Sequence, residues 1–196
     1  MCLMLGVLGS LAMGAFPTHN TMRRWCKGDY DLPEIRRLMD FVRSKSAPGD
    51  IIFTDDWDVF PVYFYFNDIN RYMAGLDPMF SYTRDPELWE RYVLITRGQA
   101  PLRTTVKVPE RQAEGSARMT EREITVPLED IRDRWGARFI IVDSDHKPFA
   151  RKLDLAKGLV RRVYPETLEA GTTPKYTVYE VLENAPRDGQ SPVTAP

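Results

Sequence analysis

At 196 residues, 43% of them hydrophobic and 28% charged, the chain can bury one sizeable core, which excludes global disorder. A formal net charge of −1 leaves no basic face of the kind that grips a phosphate backbone, so nucleic acid is not an expected partner. Cys2 and Cys26 fit no metal-type repeat, and the core region contains no cysteine, which suits an oxidising compartment.

The first stretch, Cys2 to Phe16, is almost wholly apolar or small, and Arg23, Arg24 and Lys27 follow it. Ala12-Met13-Gly14 resembles the cleavage site of a signal peptide, yet no basic residue precedes the apolar run. A free-standing span needs about 20 residues. The run therefore also fits the outer end of a membrane span begun upstream, and a short core helix is a third reading. Residues 1–29 are taken as a membrane-span remnant with its juxtamembrane segment, residues 1–16 having the lipid bilayer as partner.

From residue 30 to 182 the pattern is that of a single α/β domain. Asp31 is placed to cap a helix, with Pro33 in its first turn and Glu34 placed to reach back; Ile35, Leu38, Met39 and Val42 then recur on one face. Ala47-Pro48-Gly49 stops this helix and leads into Ile51–Thr54, an apolar run of the buried parallel-strand type. Asp58–Asn67 reads as an aromatic helix with Asp58 near its start, because Pro61 is awkward in a central strand but acceptable in a first helical turn. Arg71–Ala74 follows as a short strand. Asp85-Pro86 opens a helix with Leu88, Trp89, Tyr92 and Ile95 on its apolar face and Gly98 as its stop.

Residues 99–122 are polar and aperiodic enough to suggest an exposed excursion, with a strand allowed at Val106–Val108. Pro127–Trp135 reads as a short helix, Arg138–Asp143 as a second buried strand, and Pro148–Lys157 as a helix. Strands at Leu159–Tyr164 and Tyr176–Leu182 have a turn between them and no helix, so they are expected to pair antiparallel. The predicted fold is thus α/β, a three-layer, mostly parallel sheet with an antiparallel C-terminal edge pair. Residues 183–196 gain Gly, Pro, Ser and Ala, lose periodicity, and read as a disordered tail.

Two acidic clusters follow the two strong strands. Asp55, Asp56 and Asp58 surround Trp57, where carboxylates can hold a hard divalent cation and an indole face can stack on a sugar ring. The plainer account has Asp58 capping the next helix, Trp57 in the core, and Asp55 or Asp56 in solvent. Asp143, Asp145 and His146 follow the second strand, and if the two strands are neighbours both clusters share one rim. His146 titrates near neutrality and could act as a base, though a loop histidine is more often a surface residue. Asp77, in Gly75-Leu76-Asp77-Pro78, joins the candidate binding set, with turn chemistry as its plainer role. There is no Gly-x-Gly-x-x-Gly loop, no Walker loop, no Gly-x-Ser-x-Gly elbow and no zinc spacing of histidine and cysteine.

The order of these features resembles the extracytoplasmic soluble domain that follows the last membrane span of polytopic bacterial GT-C-type glycosyltransferases. The resemblance runs over residues 30–182: the capped helix, Pro48-Gly49-Asp50, the buried strand, Asp56-Trp57-Asp58 with its aromatic helix, Asn67 to Pro78, Asp85-Pro86 with Leu88 and Trp89, and the Phe139–Asp143 strand. It implies a membrane-anchored domain on the periplasmic side that serves transfer of a sugar from a polyprenyl-phosphate donor. Its partner would be the membrane-embedded part of the same enzyme, and its task acceptor binding or lid support. In that family the catalytic aspartate lies in a loop between membrane helices outside this chain, so no catalytic residue is expected here. In oligosaccharyltransferases, more distant relatives, a Trp-Asp motif helps recognise the acceptor peptide, but Trp57-Asp58 lacks the Tyr-Gly that follows it there. The alternative is a free-standing secreted or membrane-tethered binding module without catalysis.

Overall fold

The computed structural model describes residues 30–73, 75, 78–111, 117–167 and 173–183, so residues 1–29, Asp77 and the tail after Glu183 lie outside the described part. The chain forms two compact units, residues 1–36 and 37–196. Asp31 Oδ1 accepts a hydrogen bond from the Glu34 amide at 3.1 Å, opening helix α1 (Leu32–Lys45) as the capping signal predicted.

The second unit is built on a five-stranded sheet in the order β2-β1-β5-β7-β6. Strands β1 (Ile51–Thr54), β2 (Arg71–Tyr72) and β5 (Ala137–Asp143) are parallel neighbours, with Thr54 opposite Ile141. Strands β6 (Val160–Tyr164) and β7 (Tyr176–Val181) pair antiparallel along the other edge. The mixed α/β class and the mostly parallel sheet agree with the sequence reading.

Alternation along the strands loads both faces of the sheet. Phe53, Ile140, Val142 and Tyr179 join one core with Tyr92, Leu94 and Ile95 of α4 (Pro86–Thr96), Ile131 of α5 (Asp130–Asp133) and Phe149 and Leu153 of α6 (Lys147–Leu155). Ile52, Phe139, Ile141 and Val178, the alternate residues, are also fully or almost fully buried. On that second side the Tyr72 hydroxyl donates to the Asn67 carbonyl at 2.8 Å and lies 3.7 Å from Met39 Sδ, tying β2 to α1 and to the end of α2 (Phe60–Phe66).

The topology fixes where a crevice can form. From β1 the chain crosses through α2 to β2 on one side, while from β5 it crosses through α6 to β6 on the other. The connections diverge at the carboxyl ends of β1 and β5, which makes these ends the topological switch point of the sheet.

Two elements depart from the sequence reading. Residues 99–122 are not an irregular excursion: β3 (Leu102–Arg111) and β4 (Ala117–Val126) form a ten-residue antiparallel ribbon. Val106, Ile124 and Val126 turn into the core, while Met119 is 50% exposed and Arg103 and Glu123 pair in solvent at 3.1 Å. A ribbon with one wet face carries only a weak alternation. The short helix α3 (Pro78–Arg84) was not anticipated either; Met79, Phe80 and Tyr82 are 63%, 74% and 43% exposed, so no buried face marks it.

Candidate functional site: an acidic rim beside an aromatic cavity

The neighbouring ends of β1 and β5 bring three of the predicted residues together. Asp55 leaves β1 with its side chain fully buried. Its Oδ2 accepts from the Asp143 amide and lies 2.9 Å from His146 Nδ1, while Oδ1 is buried without a hydrogen-bond partner among the described residues. His146 stands at the start of α6, and its carbonyl accepts from the Phe149 and Ala150 amides. The aspartate therefore locks the end of β1 to the loop after β5 through the Asp143 amide, and the imidazole lies against it, its Nδ1 forming an ion pair only when the ring is protonated.

Burial lifts the Asp55 carboxyl above the usual carboxylate range, against the pull of His146 and the Asp143 amide. The contact with Asp55 raises His146 above its ordinary value, with the charges of Asp55, Asp56 and Asp143 adding to it and partial burial opposing it. The two groups share one short contact, so they titrate as a pair.

The other predicted residues take plainer places. Asp56 Oδ1 accepts from the Trp57 amide at 2.7 Å, which shapes the loop. Trp57 is 38% exposed, so it is not a core residue. Asp58 does not cap α2: the helix begins after Val59 with no side-chain cap. Asp58 is exposed, and partial burial plus the neighbouring charges of Asp56 and Asp55 raise its carboxyl. The Asp143 carboxylate folds back on its own loop, accepting from the Asp145 amide at 2.9 Å and the Ser144 hydroxyl at 3.3 Å. Asp145 is exposed. Among the described residues no three histidine, cysteine or carboxylate side chains converge as a metal site.

Sequence reasoning missed the hollow beside this rim. A cavity of about 440 Å³ is lined by Met73, Ser81, Arg84, Asp85, Leu88, Trp89, Tyr92 and Trp135. Trp89 lies tilted against Tyr92 at 5.1 Å between ring centres, Tyr92 meets Phe53 of β1 at 5.6 Å, and Trp135 closes on the same phenylalanine at 5.3 Å. Tyr92 links cavity and rim: burial and then the charges of Asp55 and Asp56 push its hydroxyl well above the usual tyrosine range. Trp89 and Trp135 are both only partly buried, leaving indole surface for a ligand. The sequence did place Trp89 and Tyr92 on the apolar face of α4, but the pairing with Trp135 comes from tertiary packing alone.

No protein-family model, curated protein or solved structure matches the chain.

Proposed function

We propose that this chain is an extracytoplasmic, non-catalytic domain of a membrane glycosyltransferase and that it holds the sugar acceptor in the cavity beside the acidic rim. The observation that carries this reading is the cavity wall itself: indole and phenol rings of Trp89, Trp135 and Tyr92, with Ser81, Asp85 and Arg84 at the edge. Sugars present flat C–H faces to aromatic rings and hydroxyls to charged or polar groups, and pockets of a few hundred Å³ suit one or two such rings. The order of motifs from residue 30 to 182 adds the resemblance to GT-C enzymes.

Two further features support a membrane setting. The apolar run Cys2–Phe16 suits a bilayer, although among the described residues no helix is long and apolar enough to cross one. Phe64 and Tyr65 on α2, with Met79, Phe80 and Tyr82 on α3, are 43–80% exposed. Such an apolar display on a soluble domain fits docking against the membrane-embedded part of the same enzyme. A divalent cation has no role in this reading.

Fractionation and an activity assay test it together. The full chain should pellet with membranes, and the purified chain should transfer no sugar from a polyprenyl-phosphate donor; in-frame membrane spans are expected in the DNA upstream of Met1. Transfer by the chain alone would overturn the accessory role. A soluble chain with no spans encoded upstream would favour the free-standing binding module.

A further inference from the structure

Arg84 sits where two hollows meet. It lines the aromatic cavity, and it also lines a neighbouring hollow of about 410 Å³ with Glu87, Val108, Pro109, Arg122 and Arg134. The other charges there are already engaged. Buried Arg91 reaches Glu87 Oε1 at 2.8 Å and Asp130 Oδ2 at 2.7 Å. Arg122 holds the second Glu87 oxygen at 2.6 Å, and Arg134 lies 3.2 Å from Asp130 Oδ1. Asp85 accepts from the Leu88 amide at 2.9 Å as the cap of α4. Three guanidinium groups (91, 122 and 134) thus share the carboxylates of Glu87 and Asp130, and Arg84 takes no part in that network. Arg84 is exposed and has no ion pair or hydrogen bond among the described residues, so its guanidinium can reach a ligand.

We propose that the site takes an anionic saccharide, whose ring lies against Trp89 and Trp135 and whose carboxylate or phosphate is held by Arg84. This rests on the sugar-site reading above and names its substrate class. A guanidinium offers a planar pair of donors that matches either anion, and one wall of apolar rings beside it lowers the local screening. Tyr92, on the same cavity wall, is buried and feels the negative charges of Asp55, Asp56 and Asp58, so its side of the wall offers an anion nothing. The anion of the sugar is therefore held by Arg84, the one arginine among the cavity's described lining residues.

The test uses the full chain and follows the Trp89 and Trp135 indole N–H signals by NMR. The probes are methyl glucoside, methyl glucuronide, glucose 1-phosphate and inorganic phosphate, each at low and high salt, with wild type and Arg84→Gln. At least one charged sugar should bind about tenfold more tightly than the neutral one, as a single charge-assisted contact allows. That advantage should shrink with salt and vanish in Arg84→Gln, while the neutral sugar binds both proteins alike. Which of the two charged sugars gains tells carboxylate from phosphate. Equal affinity for charged and neutral sugars, or an advantage that survives Arg84→Gln, overturns the inference and leaves the sugar site standing. Inorganic phosphate moving the indoles as much as glucose 1-phosphate overturns it too. If no sugar moves either indole, both the inference and the sugar-site reading fail.

Discussion

Asp55 Oδ2 lies 2.9 Å from His146 Nδ1, joining the end of β1 to the start of α6 across the topological switch point of the sheet. The contact exists because β1 and β5 are parallel neighbours and each ends in acidic sequence. It makes the rim a fixed structure, since one buried carboxylate anchors the Asp143 amide and has the imidazole against it.

The pH dependence of stability should carry the signature of His146. Its folded-state pKa is raised, so the stability it contributes is fully present below its ordinary value of 6.5 and is lost as pH rises through the folded value. Asp55 is also raised, from 3.8, and acts in the same direction at lower pH: ionising it costs more in the folded chain. Urea melts of wild type should thus weaken from about pH 6.5 upward. His146→Gln should remove that slope, and Asp55→Asn should lower the His146 pKa read by NMR. A slope unchanged in His146→Gln would refute the assignment.

Trp57→Ala should cost about 2 kcal/mol, less than a core tryptophan, because the residue is already 38% exposed. Asp56→Asn should leave stability unchanged or slightly raised, since it relieves repulsion on Asp58 and His146 stays paired with Asp55. Thermal melts distinguish these from a core tryptophan, whose truncation costs about 3–5 kcal/mol.

Gly98→Ala should destabilise by about 2 kcal/mol or more. Gly98 ends α4 at φ +69°, and an added Cβ would lie 2.5 Å from the Pro148 carbonyl carbon at the start of α6. Gly49, at φ +88° with open space around it, should tolerate alanine better, at the cost of the backbone strain alone. Equal losses at the two sites would contradict the close approach of α4 and α6.

Arg91→Met should cost about 3 kcal/mol, because Glu87 and Asp130 would stay buried with one arginine each instead of two. Hydrogen bonding to the two carboxylates, winning over burial, holds the Arg91 guanidinium above its ordinary value. The Thr125 carbonyl, which accepts from Arg91 at 2.7 Å, would lose its donor too, so exchange protection should fall in β4. A neutral outcome in chemical denaturation would show the network adds nothing to stability.

Much of the frame was legible in the sequence where one signal dominated. Ile51–Thr54 and the strand ending at Asp143 stood out as solid apolar runs, and Asp31, Asp85 and Gly98 marked helix ends that the structure keeps. The shared rim followed from strand adjacency, which the sequence could pose only as a condition. What stayed hidden was set by contacts between distant segments. The β3–β4 ribbon buries only alternate side chains, and the aromatic cavity joins Trp89 and Tyr92 to Trp135, more than forty positions on. The roles of Asp58 and Trp57 were ambiguous because capping, burial and exposure leave the same local residue pattern.

The measurement that bears most directly on the sugar-acceptor site is a crystal structure of the chain soaked with a disaccharide. The expected result is a sugar ring stacked on Trp89 or Trp135 inside the cavity of about 440 Å³, with hydroxyls toward Asp85 or Arg84. An empty cavity at saturating sugar, or a sugar bound only elsewhere, would contradict it.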